Sequence, residues 1–391
     1  MDQNKKIRLG IIGYGNMGVG HVKNILGGKT PEVELAAIAD VRAERRDAAK
    51  AEVPETVKLL SSGNELIDSG LCDAALVATP HYEHPPLAIK ALKKGLHVMI
   101  EKPAGVYTKQ VREMNKVAAE NPELVFGIMY NVRTSGVYKK MRELVSGGTL
   151  GALKRVNWII TTWYRTQSYY DSGTWRATWD GEGGGVLLNQ CPHNLDLLQW
   201  ICGMPNAVRA FCHNGKWHDI EVEDDVTAYL EYPCGATGVF VTTTADAPGT
   251  NRFELTMDLG KLVCENDKLT LYKLGMSERE FCRTAKGGFD TPPTEVIEIE
   301  TDREYAQHSG VLNAFAAKIL RGGKLIADGA EGINGLTISN AMHLSSWLNK
   351  TVAIPFDEDL FLYELNARRA GSHKTADVKE TTFDAENSYL K

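Results

Sequence analysis

The first 128 residues alternate between short, wholly apolar runs and longer amphipathic stretches. The apolar runs predict strands buried on both faces, because such strands carry no polar alternation. Apolar positions three and four residues apart predict helices. The predicted strands cover residues 7–12, 33–39, 74–78, 97–100 and 124–128, and the clearest helices cover residues 86–94 and 108–120. This order predicts an α/β domain over residues 1–128 with a doubly wound parallel sheet.

The pattern becomes strand-rich after about residue 128. Alternating runs separated by Gly, Pro and Asp turns are predicted at 153–162, 208–213, 226–232, 237–244, 253–259 and 268–274. Helices are predicted at 137–145, 183–200, 303–320 and 331–349, and residues 351–355 close the fold. We therefore predict an α+β domain over residues 129–360 with an open, largely antiparallel sheet against which the 183–200 helix packs. A C-terminal extension over 361–391 follows, with a polar, mobile tail over 380–391.

Composition narrows the class of protein. The chain has 391 residues, 43% hydrophobic and 24% charged, which is typical of a globular protein of two domains. No run of about 18 apolar residues and no N-terminal apolar segment is present, so we expect a cytoplasmic protein without a membrane partner. A net charge of −6 without a basic block argues against nucleic acid. The seven scattered cysteines predict reduced thiols, and no histidine spacing indicates a metal site.

A glycine-rich motif follows the first predicted strand and precedes a helix. Gly13, Gly15 and Gly18, with Asn16 and Met17 between them, form the G-x-G-x-x-G spacing that lets a dinucleotide pyrophosphate approach the helix N-terminus. Asp40 ends the second strand, where an acid binds ribose hydroxyls and favours NAD over NADP. An ordinary turn residue is the alternative for Asp40, and nearby arginines keep NADP open: Arg42, Arg45 and Arg46.

The stretch from Gly183 to Trp200 is the main candidate for the segment that carries catalytic side chains. As one helix it places Asn189, His193 and Asp196 along a single face, at i, i+4 and i+7. Pro192 lacks a backbone N–H, so this helix must kink or begin near that residue. A histidine satisfied within the core is the alternative reading of His193.

Aromatic and basic residues are dense just before this stretch. Aromatic faces beside hydrogen-bonding groups suit a sugar ring, which has apolar C–H faces and a rim of hydroxyls. We therefore predict carbohydrate contacts from Tyr164, Arg165, Trp175 and Arg176, while the alternative is a loop that only covers the sheet. Thr79-Pro80 and Glu101-Lys102-Pro103 follow strands at their carboxyl ends, the edge where parallel sheets bind ligands.

Together these residues resemble the Gfo/Idh/MocA family of dehydrogenases. The resemblance spans residue 7 to about residue 355 and is carried by four features: the glycine motif, Thr79-Pro80 with His84, the segment 95–103 ending in Glu101-Lys102-Pro103, and Gly183-Gly184-Gly185 leading to His193. It implies a Rossmann domain, a second domain whose open sheet often forms dimers or tetramers, and hydride transfer between a secondary alcohol and NAD(P).

The resemblance also implies roles for individual residues. Thr79, Pro80, His84, Glu101 and Lys102 are expected to contact the cofactor. Lys102 is also expected to touch the substrate hydroxyl, and His193 is expected to be the general base.

One position departs from the family pattern. Asn189 stands where the family most often has aspartate, and an amide cannot accept a proton, so we read Asn189 as an orienting group. Asn189→Asp is then expected to preserve or raise activity, or to change substrate preference if the amide is tuned to one hydroxyl pattern. The residues around Asn189 and His193, together with Trp175-Arg176, are more similar to the branch that acts on glucosides than to the inositol branch. His308 is either a pocket residue or a structural one.

Three hypotheses follow for the function. The leading one is an NAD-dependent dehydrogenase that acts on a secondary hydroxyl of a sugar, glycoside or cyclitol. The second is redox-neutral glycoside cleavage through a 3-keto intermediate, with a further base among His81, Tyr164 and Tyr170. The third is a non-enzymatic NAD-binding regulator, which a shared fold permits.

Overall fold

The computed structural model describes residues 5–302 and 305–373. Its first sheet has six parallel strands in the order β3-β2-β1-β4-β5-β6. The strands are β1 (Ile7–Ile12), β2 (Val33–Ala39), β3 (Lys58–Leu60), β4 (Ala74–Val77), β5 (His97–Ile100) and β6 (Phe126–Ile128). All residues of β4 are buried, as expected for a strand covered on both faces. The predicted doubly wound parallel sheet is confirmed.

Helices connect the strands of this first sheet. They are α1 (Asn16–Leu26), α2 (Ala43–Glu52), α3 (Gly63–Asp68), α4 (His84–Lys93) and α5 (Thr108–Ala119), and α6 (Gly136–Ser146) leads to the second sheet. The order of the sheet reverses between β1 and β4, so the carboxyl ends of these two strands border a crevice.

The second sheet has nine strands in the order β14-β13-β12-β11-β7-β10-β9-β8-β15. Its strands are β7 (Leu153–Ile160), β8 (Ala207–Asn214), β9 (Glu223–Glu231), β10 (Thr237–Thr243), β11 (Asn251–Met257), β12 (Gly260–Glu265), β13 (Lys268–Leu274), β14 (Thr294–Ile299) and β15 (Val352–Ala353). Only β7 and β10 pair in parallel, so the prediction of a largely antiparallel sheet is confirmed.

One face of this sheet is packed and the other is open. Buried and more exposed residues alternate along β9 and along the second half of β7. Trp158 of β7 is fully buried and stacks on Phe253 of β11, with ring centroids 4.1 Å apart. Its sequence neighbour Ile159 is 41% exposed on the opposite face.

The remaining helices are α7 (Gln167–Tyr170), α8 (Pro192–Cys202), α9 (Glu278–Thr284), α10 (Gln307–Arg321), α11 (Gly332–Leu348) and α12 (Glu358–Ala370). α8 packs between α6 and α11. α10 instead packs on the first sheet, where Val311, Leu312 and Phe315 join the core around Leu9 and Leu76. The range 129–360, which was predicted as the second domain, therefore contains a helix, α10, that covers the first sheet. No helix among the described residues is long and apolar enough to cross a membrane.

The predicted helix over residues 183–200 is wrong in its first half, whereas the expectation that the helix begins near Pro192 is confirmed. The chain turns from Gly184 to Cys191, and α8 begins at Pro192, which takes the first helical position where no N–H is needed. Asn189 therefore lies before the helix, and it does not share a helical face with His193 and Asp196.

Several elements were missed by the sequence pattern. These are α2, α3, β3, α7, β12, α9, β14 and α12. β14 is an exposed edge strand, so it lacks an apolar face that the pattern could reveal.

Helix α12 gives the start of the predicted C-terminal extension a packed structure. Phe361 and Leu365 of this helix are buried, and Arg369 pairs with Asp180 in the loop before the glycine run. The predicted tail over residues 380–391 lies outside the described residues.

Candidate functional site

The glycine turn after β1 is tightly packed except at one residue. Gly13 has φ of +100°, and a Cβ there would lie 2.6 Å from the main-chain oxygen of Ala78. A Cβ on Gly18 would lie 2.0 Å from the oxygen of Gly13, so this glycine lets α1 pack against the turn. Gly15 has nothing within 4 Å of its Cβ position. No side chain caps the start of α1, which is therefore suited to an anion such as pyrophosphate.

Asp40 lies at the end of β2 beside this turn. Its carboxylate accepts the main-chain N–H groups of Tyr14, at 2.8 Å, and Arg42, at 2.9 Å. Arg46 donates to the main-chain oxygen of Asp40 at 2.8 Å. The acid is thus fixed at the rim where a ribose would lie, with Arg42 and Arg45 on the same wall.

A single cleft of about 940 Å³ runs from this turn to the aromatic segment. It is lined by fourteen of the seventeen residues predicted to contact the cofactor or the substrate: Gly13, Gly15, Asn16, Met17, Asp40, Thr79, Pro80, His84, Glu101, Lys102, Arg165, Trp175, Arg176 and Asn189. Gly18, Tyr164 and His193 do not line the cleft. Tyr164 is 49% exposed, whereas His193 is 2% exposed.

Residues at the carboxyl ends of β4 and β5 are fixed by buried histidines. His84 lies with Nε2 2.7 Å from the main-chain oxygen of Thr79 and Nδ1 2.8 Å from that of Pro103, so it ties the two turns together. His21 of α1 contacts Glu101 at 2.7 Å. Burial raises the pKa of Glu101, but the contact with His21, together with the nearby His308 and Lys102, outweighs burial and lowers the pKa to about 2. Glu101 is therefore ionised beside Lys102.

Lys102 lies in the cleft between the glycine turn and the aromatic segment. Its Nζ donates to the main-chain oxygen of Asn189 at 2.9 Å. Burial lowers the pKa of Lys102 to about 8, with Arg165 and Arg176 acting in the same direction and Glu101 and Glu182 opposing them. At neutral pH the side chain is mainly an ammonium, yet it can release its proton close to physiological pH.

Aromatic rings and arginines form the far end of the cleft. Arg176 donates to the hydroxyl of Tyr169 at 2.8 Å and lies over the rings of Tyr169 and Trp175, 4.6 and 4.7 Å from their centroids. Arg165 lies over the rings of Trp163 and Tyr169. Stacked guanidinium groups beside aromatic faces can donate to the hydroxyls of a sugar whose ring packs on the aromatic carbons.

The run Gly183-Gly184-Gly185 is fixed to the second sheet by Glu223 of β9. The buried carboxylate of Glu223 accepts the N–H groups of Gly185, at 2.9 Å, and Leu187, at 3.0 Å. A Cβ on Gly185 would lie 2.0 Å from the main-chain oxygen of Glu223, so only glycine permits this approach. The segment that carries Asn189 is therefore positioned by β9 instead of by α8.

Asn189 contacts two charged residues at once. Its main-chain oxygen accepts from Lys102, and its Nδ2 donates to Oε1 of Glu182. Glu182 is 2% exposed, and its second oxygen accepts the N–H of Ala177 at 2.7 Å. Burial raises the pKa of Glu182, while Arg176 and these N–H groups oppose the rise. Glu182 was missed by the sequence pattern, although it directly precedes the glycine run.

His193 is buried in the first turn of α8. Its ring lies 6.1 Å from the ring of Tyr130, and burial together with Lys102 lowers the pKa of His193 well below its ordinary value. The imidazole is therefore neutral at neutral pH. His308 packs edge-on against His21, with centroids 5.5 Å apart, and burial lowers the pKa of His308 to about 4. His308 does not line the cleft.

Asp196 serves the core of the molecule. Its two oxygens accept from Arg133 at 2.6 and 2.7 Å, and both side chains are buried. Arg133 also pairs with Glu331 at 2.7 Å. These contacts join α8 to the segment after β6 and to the start of α11.

Trp163 and Tyr169, which belong to the aromatic segment predicted to contact a ligand, also line the cleft. Further lining residues were not predicted as ligand contacts, among them Ser62, Gly63, Asn64, Leu87 and Gln190. Within the described ranges 5–302 and 305–373, no group of three or more His, Cys, Asp or Glu side chains is placed to bind a metal.

Two family models match the chain over most of both sheets. The model described as "Oxidoreductase family, NAD-binding Rossmann fold" matches residues 7–128. The model described as "GFO/IDH/MocA C-terminal domain" matches residues 138–263.

Individual proteins are similar over part or all of this region. The rhizopine catabolism protein MocA of Rhizobium meliloti is 29% identical over 199 residues, which are 51% of this chain and 58% of that protein. Myo-inositol 2-dehydrogenase of Thermotoga maritima is 26% identical over 270 residues, 68% of this chain and 77% of that protein. The matched region of this chain thus spans little more than half the length of the rhizopine catabolism protein.

Solved structures share the whole fold. The WlbA dehydrogenase of Bordetella pertussis, in complex with NADH and UDP-GlcNAcA, has a TM-score of 0.76 at 24% identity, covering 90% of this chain and 99% of that chain. Levoglucosan dehydrogenase in complex with NADH and L-sorbose has a TM-score of 0.74 at 18% identity, covering 90% and 100% of the two chains.

Proposed function

Because this chain belongs to the GFO/IDH/MocA oxidoreductase family, whose first domain is an NAD-binding Rossmann fold, we propose that it is an NAD-dependent dehydrogenase. Its substrate is a secondary alcohol of a sugar, glycoside or cyclitol. The observation that carries this proposal is the position of Lys102, which lies in one continuous cleft between the glycine turn and the aromatic segment. Relatives and structural neighbours named as inositol and levoglucosan dehydrogenases support the substrate class.

The residues of the cleft fit a dinucleotide. Gly15 leaves room for the pyrophosphate at the start of α1, and Asp40 offers a carboxylate to the adenosine ribose. When bound, NAD supplies the hydride acceptor at C4 of its nicotinamide ring. Thr79, Pro80 and Lys102 would border that end of the cofactor, next to the aromatic segment.

Lys102 and His193 have complementary charge states for oxidising an alcohol. The Lys102 ammonium donates to the reacting oxygen and stabilises the negative charge that develops there. The resemblance assigns acceptance of the hydroxyl proton to the neutral imidazole of His193, which in this structure is 2% exposed and lies outside the lining of the cleft. These roles follow from the resemblance. The neutral state of His193 and the pKa of Lys102 near 8 are compatible with them.

A test separates chemistry from cofactor binding. We expect the wild-type protein to form NADH with at least one member of a panel of sugars, glycosides and inositols. Lys102→Met is expected to lower kcat/KM by about 100-fold or more, because one preorganised donor at a developing charge has this magnitude. The dissociation constant of NAD, measured by calorimetry, should change only slightly.

Lys90→Met is the matched control, because Lys90 lies on α4 and pairs with Asp68 at the surface. It should retain full activity. Normal NAD binding without NADH formation across the whole panel would reject the dehydrogenase.

His81 gives a specific reason to keep glycoside cleavage as a second candidate. It lines the cleft, unlike Tyr164 and Tyr170, and burial lowers the pKa of His81 so that its ring is neutral and able to accept a proton. In this reaction C3 of the sugar is oxidised, a base removes the C2 proton, the aglycone leaves with its electron pair, and the hydride returns to C3. Release of aglycone without net NADH would favour this candidate.

The open face of the second sheet is the proposed site of homo-oligomerisation. Apolar side chains occupy it in register, since Ile159 lies opposite Val241 and Val239 lies opposite Tyr229. Ile159 and Tyr229 are each 41% exposed, and Phe211 on the adjacent β8 is 51% exposed. A second copy of the chain, meeting this face with its own, would bury these side chains.

A further inference from the structure

Glu182 is a buried acid that lies directly behind the wall of the cleft. Its Oε1 accepts from the side chain of Asn189 and its Oε2 accepts the N–H of Ala177 at 2.7 Å. Both oxygens therefore accept N–H groups, as suits a carboxylate, which can only accept. Nδ1 of His81 also lies 3.2 Å from the main-chain oxygen of Glu182. The residue thus contacts three segments that border the site.

Asn189 connects this acid to Lys102. The amide group is oriented by Glu182, and the main-chain oxygen of the same residue accepts from Nζ of Lys102 at 2.9 Å. Loss of the contact with Glu182 would release the segment that carries Asn189, and a displacement of its backbone would move the acceptor that positions the ammonium. Glu182 therefore acts on Lys102 through one intervening residue.

The charges around Lys102 show why an acid is useful here. Arg165 and Arg176 disfavour the ammonium, as does burial, whereas Glu101 and Glu182 favour it. Three neighbouring histidines whose pKa values burial lowers are neutral and add no charge: His81, His193 and His308. Glu101 already pairs with His21. Glu182 is thus the second negative charge that balances two arginines.

We propose that Glu182 is a positioning residue that, through Asn189, orients the Lys102 amino group in the cleft. The effect of Glu182 on the rate of turnover rests on the proposed function. Its contact with Asn189 and its effect on the pKa of Lys102 do not depend on the substrate. It also accounts for an amide at position 189. An aspartate there would place two carboxylates in contact, and one of them would have to be neutral.

The first test reads the charge of Lys102 without any substrate. Acetylation of Lys102 by acetic anhydride is followed by mass spectrometry as a function of pH, because only the free amine reacts. In Glu182→Gln the apparent pKa of Lys102 is expected to fall by about one unit, since an opposite charge nearby has been removed. An unchanged pKa in this variant would overturn the proposal, whatever the protein's activity.

The matched control for this titration is Glu221→Gln. Glu221 accepts the N–H of Trp179 in the same loop, at 3.3 Å, but it is not among the charges that act on Lys102. This control should leave the pKa of Lys102 in place. A fall of the same size in both variants would assign the effect to loosening of the loop and would also overturn the proposal.

The second test exchanges the two side chains. The contact with Glu182 reverses the expectation from the sequence that Asn189→Asp preserves or raises activity. Asn189→Asp alone is now expected to lower kcat/KM at least tenfold with little change in NAD binding, because its carboxylate faces that of Glu182. The double variant Glu182→Gln, Asn189→Asp restores one amide and one carboxylate, and kcat/KM should recover to within about threefold of wild type. Melting temperatures identify variants that fail to fold.

These outcomes separate the inference from the proposed function. Full activity of Asn189→Asp, or failure of a folded double variant to recover, would overturn the role of Glu182 in turnover. A wild-type protein that oxidises no member of the sugar panel would reject the dehydrogenase, while the acetylation titration would still decide whether Glu182 controls the charge of Lys102.

Discussion

Lys102 makes the proposed reaction sensitive to pH. Burial lowers the pKa of Lys102 to about 8, so its ammonium is present below that pH and is lost as the pH rises through it. We expect kcat/KM for oxidation to fall above about pH 8, because the donor to the developing negative charge disappears. A pH–rate profile measured at saturating NAD checks this. A rate that rises steadily from pH 7 to 10 would contradict a role for the ammonium and favour the free amine as base.

Individual site residues differed in how well the sequence could reveal them. The position of Gly13, Asp40 and Lys102 in one cleft could be predicted, because each follows the last residue of a buried strand by one or two residues. The carboxyl ends of parallel strands meet at one edge of the sheet. Glu182 could not, because its contact with Asn189 depends on the path of an irregular loop. No periodicity relates these two residues.

Helix α8 shows the same limit for an element. The repeat of apolar residues extends from Leu187 to Cys202, and it predicted a helix over the whole stretch. In the structure the helix begins only at Pro192, which lacks a backbone N–H, and Glu223 of another strand binds the N–H groups of Gly185 and Leu187 before it. Proline and a long-range contact together thus override the apolar repeat. Elements with strong apolar runs, such as β1 and β2, have their predicted bounds.

The ion pair between Asp196 and Arg133 is expected to stabilise the packing of α8. Asp196→Ala should lower the free energy of unfolding by about 3 kcal/mol, because it leaves a buried guanidinium without its main partner. Urea denaturation measures the change. Glu331, the second partner of Arg133, has a side chain that is 41% exposed. Glu331→Ala should therefore lower the free energy of unfolding by about 1 kcal/mol or less. Equal losses of unfolding free energy in the two variants would show that burial of the acid does not decide how much each ion pair contributes.

At the scale of the whole molecule, the open sheet face predicts self-association. Ile159→Lys combined with Tyr229→Lys places two charges on adjacent parts of this face and should convert a dimer or tetramer into smaller species in sedimentation experiments. Tyr363→Lys is the control, because Tyr363 is 70% exposed on α12, away from the sheet. An unchanged mass for the double variant would place the interface elsewhere.

The packing of α10 has a consequence for how the chain is made. Val311, Leu312 and Phe315 complete the core on one side of the first sheet. In the sequence they come after the six strands of that sheet and after most strands of the second sheet. On the ribosome, the nascent Rossmann sheet therefore keeps an uncovered apolar surface until synthesis has passed Arg321. We therefore expect the two halves of the protein to complete their folding together instead of one after the other.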